Sequence, residues 1–180
     1  IGMIGGTWRE FGLYKKLCTP GQRRISTIPL VLGTTVTYLS IYSITVTIIL
    51  TIHYHLFGFP MNGTFWNILL FMLPYLLPCI FLGIAISTLF RYRQPSILFI
   101  LWTSLPLPLL SLPSPPPDVI PAALYNAGKI FPSSSGVEGF LRLQTMGASL
   151  GEVSTEWLTL WILAAVYFVL ACLGIRKVMS

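Results

Sequence analysis

Long apolar runs separated by short polar connections make up most of the chain. Between Arg24 and Arg91 there is no Lys, Arg, Asp or Glu, and a membrane-spanning helix needs about 20 mostly apolar residues. This stretch therefore accommodates two spans. They are separated at 55–63, where Gly, Pro and Asn cluster. The pattern predicts spans over 28–57 and 64–90.

Two further apolar runs lie at 96–112 and 157–175. The first ends in a proline string at 113–117, through which a helix cannot continue because proline lacks the backbone N–H. The segment between the two runs, 113–156, mixes charged and apolar residues, and its short helical patterns predict interfacial or half-inserted helices. One of them is expected from about Ser133 to Met146, with Glu138 and Arg142 as an i,i+4 ion pair. The predicted fold is all-α, a polytopic transmembrane bundle with four spans in this chain.

The composition agrees with a membrane protein. Hydrophobic types make up 54% of the residues and charged types 9%, and the mean hydropathy is +0.79. A soluble domain usually carries about 25% charged residues, so a soluble domain is excluded. Three cysteines are too few for a disulfide framework.

The basic residues predict a topology. The net charge is +6, which by itself is also typical of nucleic-acid binding. Here nine of the eleven Lys and Arg residues lie in 1–27, 91–95 and 176–180. The positive-inside rule places these segments and the C-terminus in the cytoplasm, and 58–63 and 113–156 outside. We therefore expect contact with membrane lipids and none with nucleic acid.

The segment 7–20, TWREFGLYKKLCTP, is predicted to form an amphipathic basic helix on the cytoplasmic side. Two interpretations stay open. The helix lies on the inner leaflet with its charges on lipid phosphates, or it docks a cytoplasmic partner. The candidate docking residues are Trp8, Arg9, Glu10, Gly12, Leu13 and Leu17.

Two patterns in the predicted spans are candidates for function. A stripe of small and hydroxyl residues runs along one face of the first span, and it either packs against another helix or lines a transport path. Its members are Gly33, Thr37, Ser40, Ser43, Thr47 and Thr51. In the second predicted span, Pro74 and Pro78 lie on one helix face. They either produce a fixed bend in the helix or act as hinges that move during transport.

No pattern in these 180 residues indicates catalysis. The sequence contains no H-E-x-x-H, no G-x-S-x-G and no phosphate-binding G-x-x-x-x-G-K-[ST]. His53 and His55 point to different sides of a helix and are interpreted as interfacial residues rather than metal ligands. We expect no catalytic, cofactor-binding or metal-binding residue in this chain, which is predicted not to be an enzyme.

The order of these elements resembles the C-terminal part of the membrane subunit of an ABC-2 type transporter. The similar features are an R-E-x-G helix ending in Thr-Pro, a G-x-x-x-S-T end of a later span and a Pro-rich outside segment. The residues concerned are Arg9, Glu10, Gly12, Leu17, Thr19, Pro20, Gly83, Ser87, Thr88, Pro117, Pro121 and Pro132. The runs 139–142 and 146–149 look like those of a bacterial subgroup.

The resemblance implies a permease subunit of an ATP-driven exporter in the bacterial cytoplasmic (inner) membrane. Two such subunits would form the translocation path, as a homodimer or a heterodimer. A cytoplasmic ABC ATPase carrying ATP and Mg would dock on the 7–20 helix. The chain would then be part of a six-span permease and would begin at the tail of an earlier span. The alternative function is a non-transport polytopic membrane scaffold or anchor subunit.

Overall fold

The computed structural model describes residues 27–57, 62–90, 94–95, 98, 101–102 and 131–179. Four helices occupy most of these residues: α1 (Thr27–Phe57), α2 (Phe65–Leu89), α3 (Pro132–Thr145) and α4 (Ser154–Met179). All regular secondary structure in the described ranges is helical, which confirms the prediction of an all-α fold. The predicted helix 7–20 lies outside the described residues, as does nearly all of the predicted span 96–112.

Three of the four helices are long and apolar enough to cross a membrane. The candidate spans are Thr27–Ile52, Phe65–Leu89 and Ser154–Val178. These segments are rich in Leu, Ile, Val and Phe and hold few charges, and a backbone in lipid must satisfy its hydrogen bonds internally, as a helix does. The third candidate span begins three residues before the predicted start at 157.

α2 and α4 pack side by side and run in the same direction. Near their starts Ile68 and Leu160 share one core cluster, and near their ends Thr88 lies against Gly174. The rings of Phe81 and Phe168 meet edge to face between these points, with centroids 5.2 Å apart. Both helices therefore start at the same end of the bundle.

α1 runs antiparallel to α2. Val31, near its start, packs with Ile84 and Ile175 at the far end of the bundle. Leu50, near its end, packs against the cluster around Ile68. The C-terminus of α1 therefore lies at the end of the bundle where α2 and α4 start.

α3 is a short helix that lies along the first half of α2. Its Gly136 approaches Tyr75, ten residues into α2 or about 15 Å from the start of that helix. Its C-terminal residues lie beside Asn62. The helix begins at Pro132 with Phe131 as N-cap and no side-chain cap, so the serines at 133–135 do not cap it. We call the end of the bundle where α2 and α4 start, beside which α3 lies, the α3 end of the bundle.

Candidate functional site

The part of the hydroxyl stripe around Thr37 and Ser40 lies opposite the buried positions of α1. Val31 and Thr35 are the buried positions among the α1 side chains that the structure describes. Ser40 follows Val31 by nine residues, which at about 100° per residue places it on the opposite side of the helix. Thr37 and Ser40 are exposed. Ser43 and Thr47, further along the stripe, are half-buried.

The hydroxyl groups on this face bond to their own helix. Thr37 Oγ1 donates to the Gly33 carbonyl at 3.0 Å, and Ser40 Oγ to the Val36 carbonyl at 2.9 Å. Thr47 Oγ1 donates to the carbonyl of Ser43 at 2.8 Å. Such i−4 bonds satisfy the hydroxyl donors without a second helix. Whether Thr37, Ser40, Ser43 and Thr47 line a path or pack on another helix stays a prediction.

Both prolines of α2 lie in the helix interior and are fully buried. The helix continues from Phe65 to Leu89 through Pro74 and Pro78. Because proline has no N–H, the carbonyls four residues earlier, at Leu70 and Pro74, receive no helical hydrogen bond from it. The prolines therefore leave two gaps in the ladder of a helix at the centre of the bundle. Their role as hinges stays a prediction.

α3 and α2 fit together through two glycines and two aromatic rings. A Cβ atom added at Gly136 would collide with the ring of Tyr75, and one added at Gly139 with the ring of Phe71. Phe71 is fully buried, so its ring has little room to yield. The glycines thus allow an approach that any other residue would prevent. Sequence reasoning missed this contact, although the two glycines stand three apart on one helix face.

The segment before α2 caps the C-terminus of α3. The Asn62 backbone N–H donates to the Gln144 carbonyl at 3.2 Å, and its side-chain Nδ2 donates to the Thr145 carbonyl at 2.8 Å. Gly63 lies against the Leu143 carbonyl. The last carbonyls of a helix otherwise have no partner. The turn residues Asn62 and Gly63, noted in the sequence only as breakers, therefore hold α3 in place.

The chain turns away from α3 at Gly147, which has a φ of 65°. Glycine adopts this left-handed conformation without strain. A Cβ here would also lie 2.9 Å from the Asn62 carbonyl oxygen. Two independent reasons thus favour glycine at this position.

An ionic group joins α3 to α4. Arg142 Nη2 lies 3.0 Å from Glu138 Oε1, which confirms the expected i,i+4 pair. Arg142 Nη1 lies 3.1 Å from Oε1 of Glu156, which stands in the first turn of α4, where the helix dipole favours a negative charge. Helical spacing predicts only Glu138 as a partner of Arg142, because the second partner depends on the meeting of two helices.

This seam between α3 and α4 also holds buried polar atoms without partners. Among the described residues, Glu156 Oε2 and Trp157 Nε1 are buried and make no hydrogen bond. Ser133 Oγ, at the start of α3, is likewise buried without a hydrogen-bond partner. No group of three His, Cys, Asp or Glu able to hold a metal occurs in the described part of the chain. The candidate docking residues on 7–20 lie outside that part.

Comparison with known proteins identifies the family. The family described as ABC-2 family transporter protein matches residues 22–173, a range that contains α1, α2, α3 and most of α4. No curated protein and no solved structure matches the chain significantly. The family match covers most of the sequence and all the candidate spans but the last residues of one. The chain therefore belongs to the ABC-2 transporter family and is a multi-pass membrane domain of the permease type.

Proposed function

We propose that this chain is a permease subunit of an ATP-driven exporter and forms a translocation path together with a second permease subunit. The observation that carries the proposal is the family match over residues 22–173. The hydroxyl stripe of α1 supports it, since Thr37, Ser40 and Thr51 on this polar face are exposed. A translocation path for an amphiphile needs a polar face of this kind. A second permease subunit, identical or different, would form the rest of the wall of the path.

In this proposal, ATP hydrolysis takes place on a separate cytoplasmic ABC ATPase that carries ATP and Mg. The 180 residues contain no phosphate-binding loop motif. The ATPase docks on the amphipathic helix at 7–20, where Arg9 and Glu10 offer charges to a groove and Leu13 and Leu17 anchor the helix. The chain itself performs no chemistry and transmits the motion of the ATPase to the spans.

The proposed topology places the far end of the bundle in the cytoplasm. Arg176 lies exposed in the last turn of α4, and α2 ends on the same side, directly before the basic residues of 91–95 in the sequence. The C-terminus is then cytoplasmic, and the α3 end faces the outside of a bacterial inner membrane.

The docking assignment is tested with the variant R9A/E10A in the full-length protein. We expect it to insert normally and to lose export and transport-dependent ATP turnover. The matched control is R23A/R24A, which removes two basic residues from the same loop but outside 7–20. Normal export by R9A/E10A would refute the docking helix. Purification without any associated ATPase in mild detergent would favour the scaffold alternative.

The topology is tested with single cysteines and a thiol reagent that does not cross membranes. Met146 is exposed at the α3 end and Gln94 is exposed beyond the end of α2. In a cysteine-free background, we expect M146C to react from outside intact cells and Q94C to react only after permeabilisation. The reverse labelling pattern would overturn the orientation.

A further inference from the structure

α3 brings a charged residue to the level at which lipid tails surround the bundle. α2 has 25 residues, and the hydrocarbon layer of a bilayer spans about 20 residues of a helix. Wherever that layer is placed along α2, it includes residues 71–75. A Cβ built at Gly136 meets the ring of Tyr75, and one built at Gly139 meets the ring of Phe71. Glu138, between these glycines, therefore lies at the level of the hydrocarbon layer.

Glu138 and its partner Arg142 are only partly covered by protein. Their side chains are 34% and 43% exposed, and Arg142 Nη2 lies 3.0 Å from Glu138 Oε1. Arg142 stands one turn, about 6 Å, nearer to the end of α3, which lies beside Asn62 before the start of α2. Its long side chain can extend towards the lipid headgroups. The shorter Glu138 cannot, so the surroundings of its carboxylate must be polar at this level.

Three surroundings are possible for the exposed part of this ion pair: lipid, protein or water. Contact of a charge with lipid tails is strongly unfavourable. Ionisable residues inside a membrane almost always face the interior of a bundle or a water-filled cavity. The exposed fractions of Glu138 and Arg142 have no protein of this chain against them. Water is therefore the surrounding that fits both the charge and the exposure.

The charges beside this surface favour cations. From α3 to the first turn of α4, the described residues carry three carboxylates, at Glu138, Glu152 and Glu156, and one guanidinium group, at Arg142. Glu138 Oε1 and Glu156 Oε1 both pair with Arg142, so one positive charge is divided between two carboxylates. The excess charge is negative. A water-filled cavity with apolar walls concentrates the field of such an excess.

We propose that α3 forms one wall of a water-filled vestibule in the outer half of the membrane, and that Glu138 in this wall selects amphiphiles with a cationic headgroup. The inference rests on the proposed transport function, since the vestibule would be the outer mouth of the translocation path. The headgroup pairs with the exposed part of the Glu138 carboxylate, which Arg142 holds in place. The apolar part of the amphiphile stays against the apolar surface of the bundle. An anionic headgroup is repelled by the excess negative charge.

Thiol labelling in intact cells tests for the water. In the full-length transporter with its ATPase, made cysteine-free, S134C and L141C place a thiol within one turn of Glu138 on either side, at half-buried positions of α3. The matched control is L73C, an exposed position of α2 at the same level. The reagent is a charged methanethiosulfonate that does not cross membranes. The thiolate attacks its sulfur, a mixed disulfide forms and sulfinate leaves.

We expect S134C and L141C to react from outside at least about tenfold faster than L73C. A thiol among lipid tails has a raised pKa, and each pKa unit lowers the thiolate fraction about tenfold. Equally slow reaction of all three would mean that lipid or a second subunit covers α3 and would refute the vestibule. Equally fast reaction would refute it too, because the reagent would not distinguish the wall from the lipid-facing side.

The sign of the reagent's charge tests the selection of cations. At L141C, we expect the trimethylammonium reagent to react at least about threefold faster than the sulfonate reagent, after correction for their rates with a free thiol. E138Q should lower this preference. The matched control E152Q neutralises an exposed carboxylate in the turn before α4 and should change it less. An unchanged preference in E138Q, or a preference for the sulfonate reagent in its parent, would overturn the selection.

These rates do not depend on transport, so failure of the vestibule is distinguishable from failure of the proposed function. Slow labelling of S134C and L141C in a protein that exports normally would refute the vestibule alone. Fast, cation-selective labelling would support it even if R9A/E10A showed that no ATPase docks on 7–20.

Discussion

α1 and α2 are both long apolar helices, yet they occupy opposite roles in the bundle. α2 buries nine residues along its length, including Phe71, Pro74 and Ile80, and touches each of the other three helices. α1 is six residues longer (31 against 25) but buries only Val31 and Thr35 among its described side chains. Both helices are thus suited to a lipid environment, but α2 packs against its neighbours along its length whereas most described side chains of α1 are exposed or half-buried.

The comparison shows what fixes a helix position inside a membrane. Both helices are mostly apolar, and lipid covers an apolar surface as readily as protein does. What distinguishes α2 is shape: α3 and α4 present Gly136, Gly139 and Gly174 to its side chains at Tyr75, Phe71 and Thr88. α1 has a glycine too, but nothing lies within 4 Å of a Cβ built at Gly33. Fit, rather than apolarity, decides which helix is central.

The largest expected effect comes from filling the space of a packed glycine. In G139L the new side chain meets the fully buried ring of Phe71, and we expect a loss of about 3 kcal/mol in the free energy of unfolding. The matched variant G33L on α1 is expected to change it by no more than about 1 kcal/mol, in the stabilising direction. Unfolding in mild detergent measures both. Equal destabilisation would mean that the two helices are packed alike.

A smaller effect is expected at the cap of α3. N62A removes the side-chain donor to the Thr145 carbonyl and leaves the backbone bond to Gln144. The expected cost is about 1 kcal/mol in unfolding free energy, the usual net value of one hydrogen bond. N62D is nearly isosteric but cannot donate, so it should cost at least as much as N62A. If N62D unfolds like the unmodified protein, the cap contributes nothing.

The prolines are expected to matter more for transport than for stability. P74A restores an N–H for the Leu70 carbonyl but removes a buried ring, and these effects offset each other to within about 1 kcal/mol. A straighter α2 should lower the export rate. The control is P29A: Pro29 lies in the first turn of α1, where the missing N–H is unpaired in any case. Equal export rates for P74A and P29A would remove the hinge hypothesis.

The smallest stability effect is expected on the α1 stripe. T37V removes an exposed hydroxyl that bonds only to its own helix, and the unfolding free energy should change by less than about 0.5 kcal/mol. If the stripe lines the path, export by T37V and S40A should fall. The control I49V changes an exposed residue nine positions after Ser40, on the opposite side of α1, and should export normally. Normal export by all three variants would leave the stripe without a role in transport.

The sequence was a good guide to the helices and a poor guide to their contacts. The uncharged stretch from 25 to 90 and the turn residues at 58–63 predicted α1 and α2 closely. The length and charge of a membrane span can be read directly along the sequence, without knowing which helices touch. The pair Glu138–Arg142 followed from helical spacing alone. The partner Glu156 and the fit of Gly139 on Phe71 did not, because their contacts join residues far apart along the chain.

The sequence by itself determined that the chain is helical, apolar and built to lie in a membrane, because the bilayer imposes those requirements on each segment separately. It also carried the family resemblance that the match over 22–173 confirms. Only the tertiary structure decided that α2 is central, that α1 exposes Thr37 and Ser40 and that α3 is joined to α4 through Arg142 and Glu156. Those features depend on which surfaces fit each other, and hydrophobic periodicity contains no information about fit.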